Sequence, residues 1–136
     1  MKGANYKITY SDQVKWNKML NALRRLNGSA FIELQTVIRK LIRGKKVGKK
    51  SSEDYYVVLL HADKYFKDKY GDLEFRYTID KAEKTVQILG FAKPQEELLI
   101  NYHMGKIDVY KGQFITVDKE LMNKEKFVHT MMTMLT

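Results

Sequence analysis

The residues of this chain best suited to chemistry are cations, and they are concentrated in one segment. Residues 39–50 contain seven basic side chains and no acidic one. Uncompensated positive charge of this kind binds polyanions, because each cation that meets a phosphate releases condensed counterions. The seven candidate nucleic-acid-binding residues are Arg39, Lys40, Arg43, Lys45, Lys46, Lys49 and Lys50.

Two interpretations of this basic segment stay open. It begins on the last turn of a predicted helix, where cations also interact favourably with the helix dipole, and it continues into a stretch that contains Gly44 and Gly48. The segment is therefore either a polyanion-binding surface or a solvated helix end followed by a flexible loop. Seven cations in twelve positions exceed what capping requires, which favours the binding surface.

A second set of cations is interleaved with aromatic residues between positions 61 and 72. Lysines can hold phosphates while a tyrosine ring stacks on a base. We therefore expect this segment to extend the nucleic-acid surface, the alternative being a solvated polar loop. The candidates are Lys64, Lys67 and Lys69, with Tyr65 and Tyr70 as stacking residues.

Candidate catalytic residues are isolated rather than part of a motif, since no P-loop, GxSxG, HExxH or GxGxxG pattern occurs. Arg76 lies on the polar face of an alternating strand, where its guanidinium could bind two phosphate oxygens. His103 stands beside Lys106 at the end of a predicted helix and could act as an acid or a base. The alternatives are an ordinary exposed strand arginine and a helix-terminal histidine bonded to a carbonyl. Lys106 is a further candidate phosphate contact.

No metal or cofactor is expected. The chain has no cysteine, so neither a disulfide nor a thiolate metal site can form. Its three histidines, His61, His103 and His129, share no metal-ligand spacing.

The strands that position these residues are indicated by alternating or densely apolar runs. They are predicted at residues 6–10, 54–60, 73–79 and 85–91, and the last two form a hairpin. Residues 106–110 and 114–117 are predicted to form a second, shorter hairpin.

The helices are indicated by apolar residues at helical spacing. The first follows the capping residues Ser11 and Asp12 and ends at Asn27-Gly28, where we expect a residue with positive φ. Ser29 caps the second, which ends at Gly44. A third has Pro94 in its first turn, and a final helix begins after Asp118.

Together these elements predict an α+β fold. An N-terminal helical hairpin packs on one face of a mainly antiparallel, twisted sheet, and a C-terminal hairpin and helix follow. The length of 136 residues, the hydrophobic fraction of 44% and the single proline predict one domain over residues 1–136.

The whole chain is basic, with 25 Lys and Arg against 16 Asp and Glu, a formal charge of +9. A lysine-rich codon bias would raise lysine everywhere, and the clustering of charge argues partly against that origin. The N-terminus has no signal-peptide pattern and no apolar run reaches 18 residues, so we expect a cytoplasmic protein without a membrane span. RNA is the partner expected first.

The central hairpin, LEFRYTIDKAEKTVQILGF, contains a pattern seen in a known family. Arg76, Tyr77, Ile79 and Asp80 are followed by Val-x-Ile-Leu-Gly from Val86 and by the ending GFAK at residues 90–93. With the order of one strand, two helices and a meander, residues 6–103 resemble the RelE/ParE-like toxin superfamily. Two segments depart from that pattern: residues 61–72 are longer than the usual connection, and residues 106–136 add a hairpin and a helix.

The resemblance implies a toxin-like endoribonuclease that cleaves mRNA, often on the ribosome, by metal-independent attack of the 2′-hydroxyl on the adjacent phosphate. It would assign the cationic and acid–base roles to Arg76 and His103, and its partners would include an acidic antitoxin. Two other classes stay open. One is a non-catalytic RNA- or DNA-binding module. The other is a small phage-type inhibitor whose basic face binds an acidic host protein.

Overall fold

The computed structural model describes residues 5–117, and this part of the chain contains four helices and seven strands. The helices are α1 (Gln13–Leu26), α2 (Gly28–Ile42), α3 (Lys64–Tyr70) and α4 (Lys93–His103). The strands are β1 (Lys7–Tyr10), β2 (Lys49–Lys50), β3 (Tyr56–Leu60), β4 (Leu73–Asp80), β5 (Thr85–Phe91), β6 (Ile107–Tyr110) and β7 (Gln113–Thr116). The predicted α+β class is confirmed.

Five strands form one mixed sheet in the order β1-β5-β4-β3-β2. The β2, β3, β4 and β5 strands pair antiparallel, whereas β1 pairs parallel with β5. The mainly antiparallel sheet is therefore confirmed, with one parallel edge. Strands β6 and β7 form the predicted separate hairpin.

The core lies on the sheet face that the N-terminal helices cover. Period-two alternation in β4 turns Leu73, Phe75 and Tyr77 inward, and all three are fully buried. Trp16 of α1 packs on this face, with its ring centroid 5.9 Å from that of Phe75 and 5.4 Å from that of Phe91. Glu74 and Arg76, which alternate with these inward residues of β4, therefore face the opposite side of the sheet.

The turn between α1 and α2 differs from the prediction. Asn27 has φ −152° and caps both helices, and Gly28, which lacks a positive φ, is the first residue of α2. The side chain of Asn27 accepts the Ala30 N–H at 3.3 Å and the Ser29 hydroxyl at 3.0 Å. The expected left-handed residue and the expected Ser29 cap were both wrong, because one buried asparagine satisfies the helix start directly.

Segment 61–72, which was expected to be a polar connection, contains the short helix α3. Phe66 of α3 is fully buried, and Gly71, with φ +73°, ends the helix. The buried Gln95 of α4 joins this helix to the sheet: its amide donates to the Tyr70 and Asp72 carbonyls at 3.0 and 2.8 Å. Its oxygen accepts the Glu74 N–H at 2.8 Å.

Helix α4 begins as predicted, with Pro94 in its first turn. The helix predicted after Asp118 lies outside the described residues. Of the helices at positions 5–117, none is both long and apolar enough to cross a membrane.

Candidate nucleic-acid interface

The seven cations of residues 39–50 lie on the end of α2, on the connection that follows it and on β2; we call this surface the basic face. All seven residues are exposed. Within residues 5–117, none of them forms an ion pair with an acidic side chain. The members are Arg39, Lys40, Arg43, Lys45, Lys46, Lys49 and Lys50.

The first attachment of this connection to the fold is at Gly44. Gly44 turns the chain away from α2 with φ +78°, and a Cβ there would lie 2.6 Å from the Tyr6 ring. The Tyr6 N–H donates to the Ile42 carbonyl at 2.6 Å. The start of β1 therefore packs against the end of α2, and only glycine fits between them.

The second attachment is a pair of hydrogen bonds between Tyr77 and Val47. The hydroxyl of Tyr77 donates to the Val47 carbonyl at 2.6 Å and accepts the Val47 N–H at 2.9 Å. Burial raises the pKa of Tyr77, so the phenol keeps the proton that it donates. Tyr77, a core residue of β4, thus holds the backbone at Val47, the residue that follows Lys46.

The third attachment is Gly48 and the strand that follows it. Gly48 has φ +82°, and a Cβ there would overlap the Val57 carbonyl oxygen. Lys49 and Lys50 then pair with Val57 and Tyr56 as the edge strand β2. Three attachments within a few residues fix the backbone of the connection, which argues against a flexible loop.

Tyr56 is a residue of this face that sequence reasoning missed. Its ring stacks on that of Tyr77, with centroids 5.4 Å apart and planes 15° apart, and the Lys46 ammonium lies 5.3 Å from its centroid. The Lys46 ammonium, as a donor to the phenol oxygen and as a charge, lowers the pKa of Tyr56, and the charges of Lys50 and Lys81 lower it further. Lys81 is exposed in the β4–β5 turn.

The lysines of α3 lie at the other end of β3. Tyr56 at the start of this strand pairs with Tyr77, and Leu60 at its end pairs with Leu73. At about 3.3 Å per residue, the five residues of β3 separate the two regions by roughly 13 Å. The structure therefore does not bring Lys64, Lys67 and Lys69 next to the basic face.

The rings of Tyr65 and Tyr70 pack against Phe114 of β7, with centroids 5.7 and 5.5 Å away. The Tyr65 hydroxyl donates to the Leu26 carbonyl, and burial, followed by the Asp63 charge, raises the pKa of Tyr65. Both predicted stacking residues thus take part in internal packing. A groove of about 650 Å³ lies beside them, lined by Lys64, Tyr65, Asp68, Lys69, Lys111, Gly112, Gln113 and Phe114.

Arg76 faces away from the core, as its strand alternation predicted. Its Nε donates to Glu74 Oε2 at 2.8 Å, and its Nη2 donates to the same oxygen. The guanidinium carbon lies 5.0 Å from the centroid of the Tyr55 ring, and 31% of the side chain is exposed. The cation is therefore already neutralised by a neighbour on its own strand.

His103 ends α4, where its Nδ1 lies 3.3 Å from the Asn21 amide nitrogen of α1. Since an amide nitrogen only donates, this contact makes Nδ1 the acceptor. Within residues 5–117, Arg76 and His103 share no hydrogen-bond partner: Arg76 binds Glu74 on its own strand, whereas His103 contacts Asn21 of α1. The structure does not assemble them into one site. Lys106 is exposed immediately before β6.

His61 contacts the Glu33 carboxylate of α2. Its backbone N–H donates to one carboxylate oxygen at 3.0 Å, and its ring Nδ1 lies 3.2 Å from the other. In the part of the chain that the structure describes, no group of three His, Asp or Glu residues is arranged to hold a metal ion.

Comparison of this chain with protein-family models, with curated proteins and with solved structures finds no match. The resemblance to RelE/ParE-like toxins therefore stays a prediction.

Proposed function

We propose that this protein binds single-stranded RNA through the basic face. The observation that carries the proposal is the combination of seven exposed cations, none of them in an ion pair with an acidic side chain of residues 5–117, with a backbone fixed by Gly44, Val47 and Gly48. A surface whose backbone is already ordered loses less conformational entropy on binding than a flexible loop does.

The exposed edge of Tyr56 favours a single strand over a duplex as ligand. Proteins that bind single strands combine a positively charged track with aromatic rings that contact bases. Tyr56 is partly exposed beside Lys46 and pairs with Lys50 on β2, whereas the tyrosines of α3 are packed against Phe114. The aromatic and cationic parts of such a site therefore occur together on the basic face.

The test is the salt dependence of RNA binding by a variant in which Lys45, Lys46, Lys49 and Lys50 are replaced with Gln. Each phosphate contact on a single strand contributes about −0.7 to the log–log slope of affinity against salt, so the variant should flatten the slope by as much as about 2.8. Fluorescence anisotropy with a labelled oligoribonucleotide measures both affinity and slope.

A matched control replaces Lys64, Lys67 and Lys69 with Gln at the other end of β3. We expect it to bind RNA nearly as the parent does. Unchanged affinity of the basic-face variant at low salt would overturn the proposal. Equal binding of polyglutamate and RNA by the parent would point instead to an acidic protein as partner.

Endoribonucleolytic cleavage is the second function that we propose, and Tyr56 is the observation that favours it. Such cleavage transfers the 2′-hydroxyl proton to a base while O2′ attacks phosphorus. The 5′-oxygen then leaves as it takes a proton from water or from the protonated base, and a 2′,3′-cyclic phosphate remains. A phenol whose pKa is lowered by Lys46 could act as the base, and the same lysines could stabilise the charge that develops on phosphorus.

If the parent cleaves RNA, three single variants identify the residue that carries the reaction. Loss of a general base costs about 10²- to 10⁴-fold in rate, and we expect Tyr56→Phe to show a loss in this range. If Arg76 or His103 carries the reaction, Arg76→Ala or His103→Ala will lose about 10²-fold or more instead. A parent protein that cleaves neither free nor ribosome-bound RNA ends the enzymatic proposal and leaves the binding proposal standing.

A further inference from the structure

We infer that the RNA strand bound at the basic face continues across β2 onto the sheet face opposite the core, where one base stacks on the guanidinium of Arg76. The inference rests on the proposed function and deepens it. It assigns Lys49 to the phosphate backbone and Arg76 to a base, so the two cations act on the RNA in different ways.

The sheet face opposite the core presents apolar surface to solvent. Val58 and Leu60 of β3 point into the core, and both are buried. Alternation therefore turns the residues next to them outward, and Leu59 is 58% exposed. We call this surface the open face; its members on β3 and β4 are Val57, Leu59, Glu74 and Arg76.

Strand register joins the open face to the basic face. Lys49 pairs with Val57, and Val57 pairs with Arg76, so these three residues form one row across β2, β3 and β4. Residues paired directly across strands lie on the same side of a sheet. Neighbouring strands are about 4.8 Å apart, which places the Cα atoms of Lys49 and Arg76 roughly 10 Å from each other. Lys49 therefore belongs to both surfaces.

The guanidinium of Arg76 is held in place by two neighbours. Its Nε and Nη2 both donate to Glu74 Oε2, and its central carbon lies 5.0 Å from the centroid of the Tyr55 ring. The side chain is still 31% exposed. A planar group that is fixed before the ligand arrives loses less conformational entropy on binding than a mobile side chain does.

The ion pair with Glu74 makes Arg76 better suited to a base than to a phosphate. Because a carboxylate on the same strand balances its charge, a phosphate that approached Arg76 would also approach Glu74. Bases of single-stranded RNA stack on arginine guanidinium planes as well as on aromatic rings. Val57 and Leu59 beside it add partly or fully exposed apolar surface, which suits a base rather than a phosphate.

Lys49, at the edge of the sheet, suits a phosphate. It is exposed, and it forms no ion pair with an acidic side chain of residues 5–117. A phosphate that meets such a cation releases condensed counterions, and an ammonium offers no planar surface to a base. One row of the sheet thus provides a phosphate contact on β2 and a base contact on β4.

The test measures RNA affinity and its salt dependence for two single variants. Arg76→Lys keeps a charge beside Glu74 but has no planar group, so we expect affinity to fall about tenfold with an unchanged salt slope. Lys49→Gln should flatten the slope by about 0.7, the contribution of one phosphate on a single strand. Arg76→Lys with the affinity of the parent would overturn the inference.

The matched control for the first variant is Arg25→Lys. Arg25 is exposed in the last turn of α1, at the opposite end of the helical hairpin from the basic face. This control should change neither affinity nor slope. A tenfold loss in Arg25→Lys as well would show that the loss in Arg76→Lys is not specific to the open face.

An abasic oligoribonucleotide with the same number of phosphates shows which part of the RNA Arg76 contacts. The ratio of affinities for the base-containing and the abasic strand measures the contribution of the bases. This ratio should fall about tenfold in Arg76→Lys and keep the parent value in Lys49→Gln. If Arg76→Lys weakens binding of both strands equally, Arg76 acts on the backbone and the inference fails.

Leu59→Ser is a second variant, and it leaves the contacts of Arg76 with Glu74 and Tyr55 in place. Because Leu59 is already exposed, the variant should unfold in urea as the parent does, and it should lower the same ratio by less than Arg76→Lys does. Its matched control is Ile115→Ser, since Ile115 of β7 is also an exposed apolar strand residue. Parent-like ratios in both Arg76→Lys and Leu59→Ser would remove the RNA from the open face.

Failure of this inference is distinguishable from failure of the proposed function. If the variant with four glutamines on the basic face loses RNA affinity while Arg76→Lys binds both strands as the parent does, RNA binding stands and the base contact on the open face falls. If the variant with four glutamines binds RNA unchanged, the proposed function falls, and this inference falls with it.

Discussion

Two lysine-rich segments, residues 39–50 and residues 61–72, look alike in the sequence and differ in the structure. The first has seven cations and no acid, and the second has three lysines and three aspartates. In the second, Lys67 lies 3.8 Å from Asp72 and the rings of Tyr65 and Tyr70 pack against Phe114. Local net charge, rather than the number of lysines, therefore distinguishes the surface that we propose for polyanion binding from the segment that serves packing.

The two segments also differ in how tightly the backbone is held. Both contain a glycine in the left-handed region, Gly48 with φ +82° and Gly71 with φ +73°. A Cβ at Gly48 would overlap the Val57 carbonyl oxygen, whereas a Cβ at Gly71 would meet nothing within 4 Å. The backbone of the basic face thus packs directly against β3, whereas the backbone at the end of α3 changes direction without a close neighbour.

The largest expected effect is on stability, from alanine at these two glycines. Gly71→Ala should cost about 1–3 kcal/mol, because Gly71 has φ +73° and ψ −169°, a conformation that only glycine adopts readily. Gly48→Ala adds a backbone overlap that cannot relax by side-chain movement, so we expect a loss of about 3 kcal/mol or more. Urea unfolding followed by circular dichroism measures both. Equal losses would show that the connection is not locked against β3.

Some of this architecture could be predicted from the sequence because the signals are local. Alternation placed strands at 73–79 and 85–91, which the structure gives as Leu73–Asp80 and Thr85–Phe91. The outward direction of Arg76 followed from the same alternation. Pro94 marked the start of α4, since proline fits only the first turn of a helix.

Other features left no local signal. The parallel pairing of β1 with β5 joins residues that are far apart in the chain. Helix α3 has one buried residue, Phe66, over seven positions, which is too few for a recognisable period. Asn27 ends one helix and begins the next, a double role that separate capping patterns do not suggest.

The candidate site illustrates the same division. The cations of the basic face could be read directly from the sequence, whereas the neutralisation of Arg76 by Glu74 depends on side-chain geometry. Tyr56 joins the cations of β2 only through strand register, because it pairs with Lys50. The three aspartates of residues 61–72 were visible in the sequence and would have separated the two segments.

The second prediction compares the tyrosine hydroxyls that join each region to the rest of the fold. Tyr77→Phe removes a donor and an acceptor for Val47, and Tyr65→Phe removes one donor to the Leu26 carbonyl. An unsatisfied backbone group costs about 1–3 kcal/mol, so Tyr77→Phe should destabilise the fold more than Tyr65→Phe does. Hydrogen exchange should also accelerate at the Val47 amide. Slow exchange there in Tyr77→Phe would mean that other contacts hold the connection.

The third prediction concerns stability at alkaline pH. Burial raises the pKa of Tyr77 and Tyr65 above the ordinary value near 10, so the unfolded state ionises first. The corresponding stability is fully present below pH about 10 and is lost as the pH rises through the folded-state pKa values. Tyr56, whose pKa is lowered by Lys46, acts in the opposite direction: its contribution is present above pH about 10 and is lost as the pH falls through its folded-state pKa.

Urea midpoints at pH about 9 and about 11, on either side of the ordinary tyrosine pKa, measure this dependence. The parent should lose more stability across this interval than Tyr77→Phe does, because the variant has no buried phenol to ionise at that position. Lysine titration affects both proteins alike and cancels in the comparison. A variant with the same pH dependence as the parent would show that Tyr77 ionises as freely in the fold as in the unfolded chain.

The smallest expected effect on stability is that of removing the ion pair between Lys67 of α3 and Asp72. Lys67 and Asp72 are 57% and 28% exposed and lie 3.8 Å apart, and a pair at this distance with one exposed partner contributes about 0–1 kcal/mol. Lys67→Gln should therefore lower stability by no more than that, and the difference should shrink in high salt because surface charges are screened. The same substitution should leave RNA affinity nearly unchanged, whereas Lys46→Gln should weaken it with little effect on unfolding. If Lys67→Gln weakens RNA binding as much as Lys46→Gln does, the two lysine-rich segments act as one surface, and the contrast drawn between them is wrong.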